Sequence, residues 1–400
     1  MQNTNAPSTR FKVFSNPWAT KVVSEISTKV TDGTHDTPKV RESGVPYLTA
    51  IHVKDGKIDF ANCYYVSEEE HQIIFKRCNP ERDDILLVNI GAGTATAALV
   101  DVDFEFSLKN VALIKPNRDV VNPVFLEQSL RMQTRKLFHQ LTSGGAQPFL
   151  SLKQINKLKI SICDIEEQQK IADFLTVVDK KISLLKEKHA LLEQYKKGVM
   201  QQLFKREIRF KDDDGSEFPD WQETKLGTWL EEYKEKSQIE NQYEVLTSSR
   251  KGLIKQSDYY GEGRITERKN LGFNVIPSGF LTYRSRSDDR QFFFNKNDLG
   301  FTGIISTYYP VFTMKNKQND FFVELTRMHK NKFGRQAVGT SQVVLSFNEL
   351  KNIKLPMPSS KEQEKITNFS LELDTKLRLL KEQIELIQTF KKGLMQKMFV

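Results

Sequence analysis

The chain has 400 residues, 38% of them hydrophobic and 28% charged, which is enough apolar material for more than one core and too much for a disordered polymer. Its formal charge of +9 points to a polyanionic partner. Three cysteines without a CxxC pair, a polar N-terminus and no apolar run near the ~20 residues of a membrane span lead to the expectation of a reduced, soluble, intracellular protein.

Taken in chain order, the first landmark is Arg10-Phe11-Lys12, followed by Phe14 and Trp18. Short β-type runs separated by turn signals then extend to about residue 160. Residues 85–90 and 111–114 read as strands and 122–141 as helical, so the block is a compact α+β domain.

The pattern changes after residue 160. Leu175, Val178, Ile182, Leu185, His189, Leu192, Val199 and Leu203 alternate spacings of three and four, with Lys196 in the remaining slot. That is the heptad seam of a long helix. Asp164 stands where an N-cap belongs, with Glu167 three residues on in capping-box spacing. His189 reads as a packing residue rather than a ligand. The bridge that follows, RFKDDDGSEFPDW, mixes charge, glycine and proline as a linker does, and repeats the opening Arg-Phe-Lys before Phe218 and Trp221.

A second α+β block follows, with strands expected at 279–283 and 303–309 and helix near 319–333. Then the helical segment is written again. Leu373, Leu377, Leu380, Ile384, Ile387, Leu394 and Met398 form its seam, with Lys391 in the slot of Lys196 and Ser359 as N-cap before Glu362. Slid by 195 residues, 166–204 falls on 361–399 without a gap, with 18 identities in 39 pairs. Each helix would be roughly 55–60 Å long, and its apolar stripe needs a partner, most cheaply the other copy. The segments are 1–160, 161–206, 207–356 and 357–400. They predict two globular α/β domains separated by two long antiparallel helices in an intramolecular coiled coil, related by a pseudo-two-fold axis.

The chemistry of a catalyst is missing from this sequence. It has no phosphate-loop motif, no Asn/Asp-Pro-Pro-aromatic motif of amino-methyltransferases, and no HExxH or paired histidine spacing for a metal. The GAG turn at 91–93 lacks the third glycine of a dinucleotide fingerprint. Polar, basic, turn-rich stretches occur instead in both blocks. Arginine and lysine suit guanine edges or phosphates, and hydroxyls and backbone amides suit phosphate oxygens. The candidates for DNA contact are Thr31, Asp32, Gly33, Thr34, His35, Lys39, Arg41, Gly91 and Thr94 in the first block. In the second they are Ser248, Ser249, Arg250, Lys251, Gln256, Tyr283, Arg284, Arg286 and Arg290.

The paired EQ–KI–F–D–K–LL helices ending in KKG–MQ, the RFKDDDGSEFPDW bridge, DGTHDTP and LTSSRKGLIKQSDYY resemble the specificity subunit of type I restriction-modification enzymes. One departure is ISICDI before the first helix, where the second has the proline-bearing LPMPSS. The resemblance implies a non-catalytic subunit whose two target recognition domains each read half of a bipartite, asymmetric double-stranded DNA target. It implies that the helices set the gap and dock two modification (adenine-N6 methyltransferase) subunits. It places S-adenosylmethionine in those subunits, and ATP and Mg in restriction subunits. These join through the core that two modification subunits form with one specificity subunit, all in the cytoplasm without a membrane partner. The rival readings are a coiled-coil scaffold that binds proteins with its two heads, and a self-contained DNA enzyme.

Overall fold

The computed structural model describes residues 7–54, 56–90, 93–141, 149–260 and 269–399. The chain divides into two compact units, one formed by 1–187 with 382–400 and the other by 188–381. Each unit thus contains one globular block and half of each long helix, so the boundaries fall within the helices and not at the segment edges.

The first rod spans Ile165–Lys205 and the second Ser360–Met398, both unbroken. In the first unit, Ile171 and Leu175 share a core with Met395, Met398 and Phe399, while Asp179 meets Lys391 further along. Position on one rod rises as position on the other falls, so the halves run antiparallel. In the second unit Met200 and Leu203 share a core with Ile366 and Lys196 meets Asp374, again antiparallel.

The globular block of the first unit is an antiparallel sheet ordered Ser27–Asp32, Ala112–Pro116, Ile85–Leu87 and Ala97–Leu99. A smaller sheet is ordered Tyr64–Val66, Val45–Leu48 and Ser107–Leu108. Helix Pro123–Leu141 buries Phe125, Leu126 and Leu130 in the core that also receives the rods. The block's two ends close on each other through Ala19–Val22 paired with Lys159–Ile162.

The second unit repeats this plan. Gln222–Lys225 pairs with Lys354–Met357 as the closing ladder. One four-stranded sheet is ordered Leu230–Tyr233, Val311–Met314, Leu281–Tyr283 and Phe294–Lys296. The other is ordered Gly252–Lys255, Glu244–Ser249, Gly303–Ile305 and Asn274–Ile276. Helix Asn319–Met328 takes the place of Pro123–Leu141, and Lys330–Gln336 follows as a separate short helix. The duplication therefore extends through blocks that share little sequence. What is preserved is the strand order, and central strands such as Ile85–Leu87 and Val311–Met314 are buried at every position, a demand that many apolar sequences satisfy.

The entry to each rod corrects the capping-box reading of Glu167 and Glu362. Ser359 Oγ does accept from the backbone N–H of Glu362, at 3.3 Å. The carboxylates themselves are spent elsewhere. Arg10 donates Nε and Nη2 to the two oxygens of Glu167, both at 2.6 Å, and Arg209 forks onto Glu362 at 3.1 and 2.8 Å. Glu167 and Glu362 are 0% and 1% exposed, so each is a buried charge matched by a bidentate guanidinium. The neighbouring glutamines fix the strand-to-rod junction. Gln168 Nε2 donates to the carbonyl of Cys163 and Gln363 Nε2 to that of Pro358, while Oε1 of each accepts from Asn122 or Asn316. The twice-written Glu-Gln and the twice-written Arg-Phe-Lys are halves of one clamp.

A last correspondence concerns the rod ends. In the second unit the N–H of Glu207 donates to the carbonyl of Gln202 at 2.9 Å as the chain leaves the first rod. In the first unit Thr9 N–H and Ser8 Oγ donate to the carbonyl of Lys397, the residue equivalent to Gln202, at 3.0 and 3.3 Å.

Candidate nucleic-acid interface and rod surfaces

Every seam position named from the sequence is buried or half-buried: Leu175, Val178, Ile182, Leu185, Leu192 and Val199 on the first rod, and Leu373, Leu377, Leu380, Ile384, Ile387 and Leu394 on the second. His189 is half-buried, with Nδ1 3.6 Å from Glu193. The two polar slots are not idle. Lys391 Nζ lies 2.7 Å from both carboxylate oxygens of Asp179, and Lys196 Nζ lies 2.6 Å from Asp374. Both lysines are nearly enclosed, at 12% and 14% exposure. A charged pair at one seam slot fixes register and direction, because any slip leaves an enclosed ammonium without its carboxylate.

The two edges of each rod pair differ. In heptad terms Asp179, Lys186, Gln388 and Met395 are e positions, and they line a groove of about 750 Å³ shared with Gly56, Lys57 and Arg131 of the block. The opposite edge carries Leu184, Leu386 and Phe390, at 52%, 69% and 54% exposure. Leu184 and Leu386 are c positions and Phe390 a g position. The g edges of antiparallel partners face each other, so these three share one side. The second unit carries the same trio by duplication: Leu379, Leu191 and Tyr195, at 52%, 58% and 54%. Large side chains left exposed at heptad spacing, once per unit, are unexpected for a rod that only needs to pair with its copy.

In the first block, the DGTHDTP turn is held rigidly. Asp32 is buried and accepts from Arg77 Nη2 at 2.6 Å, a pairing that holds the guanidinium above its ordinary pKa. The His35 ring lies 3.0 Å from Asp32 Oδ2 and 3.0 Å from Asn110 Oδ1. Thr34 N–H donates to Leu108 O, and its Oγ1 accepts from the N–H of Asp36. Gly33 has no room for a side chain, since a Cβ there would stand 2.1 Å from the Leu108 carbonyl oxygen. Thr31 is half-buried in the strand Ser27–Asp32. The outward members are His35, Lys39 and Arg41, whose backbones are fixed by bonds such as Lys39 N–H to Glu70 at 2.9 Å and Arg41 N–H to Tyr65 O. Gly91 lies outside the described residues. Thr94 does not belong to the surface, being 4% exposed in a tight turn after the strand Ile85–Leu87.

The second block sorts its candidates more sharply. Tyr283 is corrected outright: it is fully buried, and its hydroxyl donates to Leu345 O at 2.9 Å. It ends the strand Leu281–Tyr283, flanked in its sheet on both sides, and alternation turns it into the aromatic core. Ser248 is also buried, accepting from Asn295 Nδ2, and Ser249 Oγ donates to Gly252 O across the hairpin. Arg250 is paired with Asp289, and Arg290 donates to the carbonyls of Gly334 and Gly339 at 3.5 and 3.3 Å. Lys251 is exposed and Gln256 half-buried. Arg284 and Arg286 are exposed, and each lines two adjoining cavities of about 1160 and 650 Å³. The larger also takes in Gln256, Tyr260, Lys269, Tyr308 and Gln342. Basic forks, amides and phenol rings facing a concave surface are the groups that address base edges and phosphates.

Two blocks with one frame and different polar surfaces, each mounted on a rod pair, define a modular recognition protein. The sequence profile described as "Type I restriction modification DNA specificity domain" matches residues 16–194 and again 220–389. The chain is 23% identical to the type I restriction enzyme MjaVIII specificity subunit of Methanocaldococcus jannaschii, over 88% of this chain and 85% of that one. A shorter match, 32% identical over 31% of this chain and 28% of the other, is to the HindI specificity subunit of Haemophilus influenzae. Among solved structures, the type I restriction-modification S subunit from M. genitalium superposes with a TM-score of 0.59 at 16% identity, covering 99% of both chains. A chain from a structure on complex assembly and conformational transition of the type I R-M system gives 0.54 at 14% identity, over 96% of this chain and 98% of that one. The chain belongs to the type I restriction-modification DNA specificity family and carries its domain twice.

Among the described residues there is no group of three or more metal-ligating side chains, and no helix is long and apolar enough to cross a membrane.

Proposed function

We propose that this chain is the non-catalytic reader of a type I restriction-modification complex. Each globular block recognises one half of a bipartite, asymmetric duplex target, and the rods set the gap between the halves. Two modification subunits dock on the rods, bringing S-adenosylmethionine and adenine-N6 methyl transfer. Restriction subunits, with ATP and Mg, join through that core, and the complex works in the cytoplasm.

The observation that carries this reading is the pairing of a repeated frame with unrepeated surfaces. The Arg–Glu clamp, the Lys–Asp seam pair and the exposed apolar trio occur once in each unit. The polar side chains of the blocks do not repeat: His35, Lys39 and Arg41 in one, Arg284, Arg286 and Tyr308 in the other. A repeated trio suits two copies of one partner, and unlike surfaces suit two unlike half-sites.

The apolar trio alone would also serve a protein-binding scaffold, and titration with duplex DNA separates the two. The assembled complex should bind its target with affinity that falls linearly on a log–log plot as salt rises, with a slope of about −0.9 per phosphate contacted. A slope near zero would favour the scaffold.

A further inference from the structure

We infer that Arg286 is a base-reading side chain that recognises a guanine in the half-site of the second block, with Tyr308 as the platform that aims it. The inference rests on the DNA-reading function proposed above and names the chemistry of one position in it.

The exposed arginines of this block are not equivalent. Arg250 is neutralised by Asp289, and Arg290 is fastened to two backbone carbonyls. The Arg286 guanidinium makes no hydrogen bond or ion pair among the described residues, yet it is not loose. Its guanidinium carbon sits over the Tyr308 ring, 4.4 Å from the centroid, so the ring holds the fork on one side without taking up any of its N–H donors.

The support beneath it is firm. Arg286 pairs with Val344 in a short ladder, and the residues on either side of Val344, Val343 and Leu345, are 1% and 0% exposed. Leu345 N–H donates to Ser285 O at 2.9 Å. Ser285 in turn grips Tyr308: its N–H and its hydroxyl both donate to the Tyr308 carbonyl, at 3.2 and 2.6 Å. The backbone that carries the ring and the residue that carries the guanidinium are thus held through adjacent residues, 285 and 286, of one anchored segment. The fork opens where the two cavities meet, beside Arg284.

A stacked, planar, five-donor fork with its edge free is suited to the paired O6 and N7 acceptors of guanine in the major groove. A phosphate contact would not require the plane to be fixed, since any mobile cation satisfies it. Fixing the plane in advance lowers the entropy lost on binding and penalises bases that lack two acceptors in that geometry.

The test uses the full chain assembled with its modification subunits, and competition binding against duplexes in which each base pair of the target is replaced singly. For the parent complex, one G·C pair in one half-site should be worth about 10- to 100-fold when changed to A·T. In Arg286→Ala that single discrimination should vanish while the other positions keep theirs. Arg286→Lys, which retains the charge without the fork, should lose most of it, and Tyr308→Ala should weaken it. Both altered side chains are exposed, and an unchanged melting curve shows the fold intact. Equal weakening on all duplexes, with a shallower salt slope and every base preference retained, would make Arg286 a phosphate contact and overturn the inference. A parent complex with no sequence preference would instead overturn the function on which it rests.

Discussion

Replacing Arg209 by methionine removes the fork from Glu362 and leaves a carboxylate at 1% exposure with Trp221 Nε1, 3.0 Å away, as its remaining side-chain donor. Methionine keeps the apolar stem and deletes the charge, so the change isolates the pair from its packing. An enclosed charge stripped of its partner is destabilising by about 3–5 kcal/mol, and the retained indole bond places Arg209→Met at the lower end. The first unit gives the comparison. There Trp18 Nε1 is buried with no hydrogen-bond partner among the described residues, so beside the Arg10 fork Glu167 has the Cys163 thiol, a weaker donor than an indole N–H. Arg10→Met should therefore cost about 1 kcal/mol more than Arg209→Met, the difference between an indole N–H and a weak thiol donor on the stranded carboxylate. Urea denaturation of the full chain, followed by circular dichroism and tryptophan fluorescence, measures both. Adding Glu362→Gln to Arg209→Met should restore part of the loss, because a neutral amide no longer needs a countercharge. An Arg209→Met chain within about 0.5 kcal/mol of the parent, or no recovery in the double variant, would refute the clamp as an energetic element.

The seam pair is weaker, since Asp179 is 44% exposed: a double-mutant cycle on Asp179→Ala and Lys391→Ala should give a coupling of about 0.5–1.5 kcal/mol, and the charge-swapped pair should recover stability that either single reversal loses. At Gly198 and Gly393 of the KKG ends, a Cβ would meet nothing within 4 Å, so Gly198→Ala and Gly393→Ala should each stabilise the rods by about 0.5–1 kcal/mol in thermal melts. If either residue also touches a modification subunit, stability will rise while assembly measured by gel filtration falls. His329 is pushed below its ordinary pKa of 6.5 by burial, so the folded chain resists its protonation. Stability contributed by the neutral ring is complete above pH 6.5 and drains away as pH falls below it, and His329→Phe should flatten that part of the stability–pH curve.

The rods are legible because a three–four alternation read over 39 residues has few competing interpretations, and because a second copy removes most of the rest. The duplicated letters also name the seam pair, since Lys196, Lys391, Asp179 and Asp374 all recur. The partnership between them is not legible, because Asp179 and Lys391 are 212 residues apart. The clamp escapes for the same reason: capping-box spacing is a local signal, and Arg10 competes for Glu167 from 157 residues away. Inside the blocks, chemistry-based choices mix surface with core. Tyr283 reads as part of a basic loop beside Arg284, yet it ends a strand flanked on both sides, where alternation turns it inward. Gly33 sits in a polar turn, but its lack of a side chain answers to the Leu108 carbonyl against it. Arg286 stands out from the other arginines only when Tyr308, 22 residues on, is brought beneath it.

The most direct measurement is methylome sequencing of cells that hold the modification partner, with and without this chain. Two unlike readers on one repeated frame predict methyladenine in a split, non-palindromic motif of fixed gap, present only with the chain and altered in one half only when residues of one block are changed. A palindromic or uninterrupted motif, or a motif that persists without the chain, would contradict the account.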